Sequence, residues 1–376
     1  MRILLISNYQ PPHMGGIEFA CDALRASWTR LGHGVTWLTT DIPPGAVPST
    51  EGNIRLPAWN IAEELWEINS PLVLPWHAAF IRRLASRHDV VNIHSLAPGL
   101  SSLALSIVVR LGRPAIVTQH VGIIPLRSRL LTRLQDLVIG RRARWAVRNG
   151  IPLTFVGEAV RRWFIEHAGI PEDRTWITPA GIDRSDFYVV ADEERAAARR
   201  RWNLPEDRLA VLFVGRFYQK KGMPLLEEVA RRCPEMVFTF RGDGPENPTN
   251  WGLPNVNVIG YLSAGDLRLL YGAHDLLVLP SVGEGWPAVV PQAMACGLAC
   301  LISEETFQGY GRDRHMFLVC QREVETIVRI LREAEQGRIS LLREREIISS
   351  YALENWDWDK TAAIYVELFK RVIHGK

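Results

Sequence analysis

Two periodicities alternate along this chain. Short, almost wholly apolar runs such as I-L-L-I-S (3–7), V-T-W-L-T (35–39), D-V-V-N-I-H (89–94) and A-I-V-T-Q-H (115–120) have the length and content of strands buried on both faces. Between the first two, Ile17, Cys21, Leu24, Trp28 and Leu31 recur every three or four residues, which predicts one apolar helix face. Gly32 and Gly34 stop it. The alternation restarts beyond residue 200. Strands are expected at 208–215, 236–242, 256–261 and 275–280, and helices at 223–233 and 264–273. Apolar strands separated by helices predict parallel sheets covered on both faces, an α/β class.

The break in this pattern sets the domains. Residues 189–208 are charged, contain Pro205 and show no strand rhythm, so 189–207 reads as a linker. It joins an N-terminal domain (1–188) to a second domain (208–354), as the length of 376 residues favours. Two doubly wound sheets facing each other leave a cleft at the carboxyl ends of their strands, where ligands of such folds bind.

Composition narrows the class. No apolar run reaches the roughly 18 residues of a membrane span. The opening M-R-I-L-L-I-S-N-Y is too short for a signal peptide and reads as a first strand, so a cytoplasmic protein is expected. The five cysteines, Cys21, Cys233, Cys296, Cys300 and Cys320, form no Cys-x-x-Cys pair and read as buried thiols. A formal charge of +3 does not point to nucleic acid.

Candidate chemistry gathers at strand ends. Gly15 and Gly16 open the first helix, where free N–H groups and a partial positive charge suit an anion; a turn that merely needs glycine is the alternative. G-R-F-Y-Q-K-K-G (215–222) places Arg216 and Lys221 in one loop, a fork and a point charge for a diphosphate, or a solvated charged loop. In E-G-W-P-A-V-V-P-Q (284–292), Pro287 stands at the first turn of an expected helix over 288–297. Glu284 is a candidate acceptor for ligand hydroxyls, and Gln292 lies about two turns on.

Together these pieces resemble glycosyltransferase family 4, retaining enzymes of the two-domain, doubly Rossmann-like GT-B architecture. The resemblance runs along almost the whole chain: P-H-M-G-G-I-E (12–18), D-V-V-N-I-H (89–94), T-Q-H (118–120), P-A-G-I-D (179–183), G-R-F-Y-Q-K-K-G (215–222), G-D-G-P (242–245) and P-S-V-G-E-G-W-P-A-V-V-P-Q-A-M-A-C-G (280–297). The segment from 355 to 376 is similar to the family's last helix, which crosses back to the N-terminal domain.

The resemblance implies a nucleotide-sugar donor, most often a UDP-sugar, and metal-independent transfer without a cofactor. Its diphosphate would lie on Arg216, Lys221 and the amides of Gly285, Trp286, Pro287 and Ala288, where only proline lacks an N–H. Gly15 and Gly16 would approach from the other domain. The base would rest by Gly260 and Tyr261, Glu284 would face sugar hydroxyls, and His120 would lie beside the reacting sugar. Tyr9 and His13 are candidates to touch the acceptor, a glycan or lipid-linked glycan. His94 reads as structural.

Three departures stand out. Gln292 replaces the family's second acid, which holds the ribose; an amide still accepts and donates, with a loss of about 1 kcal/mol. S-E-E-T-F-Q-G-Y-G-R-D-R-H (303–315) replaces a Gly-rich turn, and Ala180 stands where Asn is common.

Other features remain double-sided. D-W-D (357–359) could chelate metal but sits at a helix start, where capping explains it. The segment 127–148 carries seven arginines against one aspartate and reads either as a face lying on an anionic inner-membrane leaflet or as a solvated helix. The aromatic stretch 58–76 is a candidate acceptor groove. Rival functions are a nucleotide-sugar epimerase and a non-catalytic nucleotide-sugar-binding subunit.

Overall fold

A computed structural model describes residues 1–13, 15–46, 48–61, 70–122, 129–341 and 344–375. Met14 of the glycine motif, residues 62–69 of the candidate groove and 127–128 of the basic segment lie outside the described residues.

The chain forms two units, one comprising Met1–Gly181 with the chain from Trp358 onward, the other Ile182–Asp357. The first contains β1 (Arg2–Ile6), β2 (Gly34–Thr40) and β3 (Asn53–Leu56). A small antiparallel pair follows, β4 (Ala58–Trp59) with β5 (Leu72–Val73). Then come β6 (Val90–His94), β7 (Ala115–Gln119), β8 (Leu153–Phe155) and β9 (Thr175–Ile177). Seven of these pair in parallel in the order β3-β2-β1-β6-β7-β8-β9. Ile3, Leu4, Leu5 and Ile6 of β1 are wholly buried, as a strand covered on both faces requires.

The helix Gly16–Arg30 buries Cys21, Leu24 and Trp28. Leu31, expected on the same face, is exposed because it is the C-cap, past the last turn. The helix Trp358–His374 closes this core: Trp28 Nε1 donates to the Ala362 carbonyl, 3.2 Å. The Tyr365 hydroxyl lies 2.9 Å from Thr118 Oγ1 and 3.0 Å from Thr178 Oγ1. This network satisfies a buried phenol among polar strand residues.

The second unit holds β10 (Ala210–Val214), β11 (Val237–Arg241), β12 (Val256–Ile259), β13 (Leu276–Leu279), β14 (Ala299–Ser303) and β15 (Leu318–Cys320). All are parallel, in the order β12-β11-β10-β13-β14-β15. In each sheet the order reverses at one strand, β1 or β10, which is where Rossmann-like folds bind ligand.

The segment 189–207 is not a linker. Its helix, Asp192–Arg201, belongs to the second unit. Arg195 Nη2 lies 2.5 Å and Arg199 Nη1 3.3 Å from the Asp275 carboxylate, which also accepts from the Ala210 amide at 2.8 Å. Arginines that read as solvated charge are turned inward. The unit boundaries therefore fall at 181/182 and 357/358 rather than at 188 and 355, where Ile182 N donates to the Trp356 carbonyl, 2.6 Å.

Candidate functional site

Three loops at the strand ends of the second unit are laced together. The loop after β10 runs through Arg216 into a short turn, Gln219–Lys221, and then Gly222 in the left-handed region (φ 86°). A Cβ on Gly222 would lie 2.9 Å from the Pro280 carbonyl, so only glycine allows both the turn and this approach. The Val282 amide donates to the Lys220 carbonyl, 2.9 Å, tying this loop to the one after β13. On the other side, Phe217 N donates to the Asp243 carbonyl (2.6 Å) and Glu246 N to the Phe217 carbonyl (3.0 Å). Gly242 packs so closely on the Gly215 carbonyl that no Cβ fits. The glycine motifs, remote in sequence, form one joint.

That joint brings Lys221 to Glu284: Nζ and Oε1 are 2.5 Å apart, both side chains mostly buried. The contact is a close ion pair in a mostly buried setting. Arg216 stays exposed, its guanidinium 5.2 Å from the Tyr218 ring centre. Burial holds Lys220 below the usual lysine range; Glu284 opposes this, and Lys221 and Arg216 add to it. Lys220, Lys221 and Arg216 therefore gather around the Glu284 carboxylate.

The remaining expected donor residues divide by role. Tyr261, after β12 and next to Gly260, is 76% exposed, with the Arg241 guanidinium 5.3 Å from its ring centre. This is an open aromatic face backed by a cation. Trp286 instead packs against Tyr310 and Trp356, ring centres 5.7 and 6.0 Å away; its side chain supports the loop. The helix runs Val289–Ala295, shorter at both ends than the expected 288–297, with Ala288 as N-cap. The Val290 amide closes on the Pro287 carbonyl, 3.1 Å, so the amides ahead of it precede the helical ladder. Gln292 Oε1 accepts from the Tyr271 hydroxyl at 3.4 Å.

Two supports of this loop escaped sequence reading. The helix Glu304–Tyr310 places Glu305 Oε1 2.6 Å from the Gly283 amide, and the Tyr310 hydroxyl donates to the Pro287 carbonyl at 2.9 Å. The only sequence signal was Ser303, whose side chain caps this helix.

The first unit carries the other expected residues. Gly15 is the extended N-cap of its helix, and a Cβ there would strike the Glu18 carboxylate; Gly16 is open. Glu18 Oε1 lies 2.9 Å from His13 Nδ1, and the His13 and Tyr9 rings stack at 4.1 Å. Tyr9 is 3% exposed and donates to Asn60 Oδ1, 2.8 Å, so it braces His13 rather than offering a free face. His120, just after β7, lies with Nε2 2.8 Å from His94 Nδ1. Burial pushes His120 down to about 4, and burial plus the neighbouring His120 holds His94 well below the usual histidine range. Both are neutral near pH 7.

The five cysteines are free and buried. No cluster of three or more metal-ligating side chains occurs among the described residues. Asp357 pairs with Arg184, and Asp359 with Arg30 at 2.6 Å, which accounts for D-W-D without a metal.

Two family models match this chain. Residues 14–186 match "Glycosyltransferase Family 4" and residues 208–334 match "Glycosyl transferases group 1". The chain belongs to glycosyltransferase family 4.

Among curated relatives in this family is D-inositol 3-phosphate glycosyltransferase of Geodermatophilus obscurus, 32% identical over 156 residues, which are 36% of this chain and 34% of that one. Alpha-D-kanosaminyltransferase of Streptomyces kanamyceticus is 27% identical over 282 residues, 70% of each. For several relatives the matched part spans less than half their length. Among solved structures, Anabaena HepE in complex with UDP superposes with a TM-score of 0.75 at 16% identity, covering 98% of this chain and all of that one. Sucrose-phosphate synthase from Thermosynechococcus elongatus superposes at 0.76 and 18%, covering all of both. These likenesses establish the GT-B fold.

Proposed function

We propose that the protein is a retaining hexosyltransferase that takes its sugar from a UDP-sugar and delivers it to a hydroxyl of a glycan or lipid-linked glycan. The observation that carries this reading is the laced joint holding Lys221 against Glu284, with Arg216 in the same loop. As the bond from the sugar's C1 to the diphosphate breaks, negative charge grows on the leaving nucleotide. Cations fixed there stabilise that charge. Lys221 exchanges Glu284 for phosphate, freeing the carboxylate for sugar hydroxyls, and Tyr261 offers its exposed face to the base. The acceptor oxygen attacks C1 from the face the diphosphate leaves, and its proton passes to a phosphate oxygen. This transfer needs no metal or cofactor. Of the residues in the first unit, His120 is assigned to the reacting sugar, His13 to the acceptor and Gly16 to the diphosphate.

UDP and UDP-glucose in the HepE complexes support the choice of donor. Support for a lipid-linked acceptor comes from the matched alpha-galactosylglucosyldiacylglycerol synthase of Streptococcus pneumoniae, 28% identical over 151 residues. On the helix Arg129–Arg148, Leu134, Leu137 and Trp145 are exposed beside Arg133, Arg141 and Arg148, a face suited to an anionic leaflet on the cytoplasmic side. No helix among the described residues is long and apolar enough to cross a membrane.

The test is incubation with UDP-, GDP- and TDP-sugars, reading freed nucleotide with and without acceptor and the anomeric configuration of the product. Freed UDP and a retained anomer support the reading. Epimerised sugar, or tight binding without turnover, replaces it with one of the two rivals.

A further inference from the structure

His94 ends β6 and His120 follows β7, adjacent parallel strands in which His94 stands opposite Thr118. Residues 118 and 120 share one face of their strand direction, which brings the two rings together. Both backbones are pinned there. Ser101 Oγ donates to the His94 carbonyl at 2.7 Å, and Ser95 N to the Thr118 carbonyl at 2.8 Å. Between the rings runs one hydrogen bond, His94 Nδ1 to His120 Nε2, 2.8 Å.

With both rings neutral, that bond carries one proton, and its direction fixes both tautomers. His94 is completely buried, and its other nitrogen, Nε2, has no partner. If His120 were the donor, the His94 proton would sit on Nε2, a buried N–H with nothing to receive it. If His94 is the donor, only a lone pair is left unmatched. Orphaned buried N–H groups are the rarer and costlier kind. His120 itself is only partly buried.

We infer that His94 is a positioning residue: it donates from Nδ1 to His120 Nε2 and so holds His120 as the Nδ1-protonated tautomer. His120 then presents a hydrogen-bond donor, not a proton acceptor, at its second ring nitrogen, Nδ1. This rests on the reading that His120 meets the reacting sugar, where it would give a hydrogen bond to a hydroxyl oxygen and leave the acceptor's proton to the departing phosphate.

The full chain labelled with 15N-histidine tests it directly. Long-range 1H–15N correlation distinguishes protonated from lone-pair ring nitrogens, and His94→Phe and His120→Phe assign the two spin systems. The expected spectrum has protonated Nδ1 and lone-pair Nε2 on His120, with protonated Nδ1 on His94. A lone-pair Nδ1 on His120 overturns the inference, whether or not the protein transfers sugar.

Substitution gives the second arm. His94→Phe should mix the His120 tautomers and lower kcat about tenfold with donor KM unchanged, the rate equivalent of one hydrogen bond. His94→Gln, whose amide still donates, should restore most of that rate. An unaltered His120 spectrum in His94→Phe also overturns the assignment. If that variant does not fold, the native spectrum and His94→Gln decide it.

Discussion

A lysine and a carboxylate 2.5 Å apart, Lys221 and Glu284, lie at the heart of the candidate site in the second unit. If Lys221 holds the leaving diphosphate as proposed, Lys221→Ala removes a fixed cation and kcat/KM should fall about a hundredfold, as when one preorganised charge partner is removed. Steady-state kinetics with UDP-glucose and UDP affinity by calorimetry check this. If Arg216→Ala with Lys221→Ala leaves nucleotide affinity unchanged, the diphosphate cradle is elsewhere. Gln292→Glu should preserve donor binding and tighten it about fivefold, since a charge-assisted bond gains about 1 kcal/mol over a neutral one; loss of binding would contradict the ribose role given to position 292. Lys221 and Glu284 were legible as separate candidates, because each sits in a recognisable loop. Their pairing was not, since it depends on the fit of Gly222 beneath Pro280.

Among the elements, the helix Asp192–Arg201 differs most from expectation. Three acids and four arginines in ten residues look like a solvated segment, and helical periodicity of apolar residues is absent. What anchors it is Asp275, mostly buried between Arg195 and Arg199. Asp275→Ala leaves two buried guanidiniums without their counter-charge and should destabilise the second unit by about 3–5 kcal/mol, seen as an early thermal transition. A melting curve like that of the native protein would mean that the helix is held by other contacts. The helix Glu304–Tyr310 makes a similar point: its sequence departs from the family's Gly-rich turn, yet Glu305 and Tyr310 bind the backbone of the loop after β13 at Gly283 and Pro287.

For the whole molecule, buried histidines link stability to pH. His120 and His274 are held down to about 4 by burial, and His94 is lowered as well. In the unfolded chain they protonate near 6.5. Between these values the unfolded state binds more protons, so the contribution is complete above about pH 6.5 and is lost as pH falls toward 4. For His274, 1% exposed, the slope is about 1.4 kcal/mol per pH unit at most. Urea melts between pH 7 and 4.5 should show this decline, and His274→Gln, an uncharged replacement, should remove the His274 share of the slope. A flat profile in the native protein would mean that these histidines protonate in the folded state.

By itself the sequence determined the two strand–helix alternations, the parallel sheets and the glycine-marked loops at strand ends. Burial on both faces of a strand and sharp turns at glycine are local requirements, written in consecutive residues. Tertiary structure alone decided that Trp286 packs while Tyr261 stays open, that Arg195 and Arg199 turn inward, and that His94 meets His120. Each of those outcomes is a contact between segments far apart in the chain. Its direction depends on what packing leaves exposed, which no local pattern encodes.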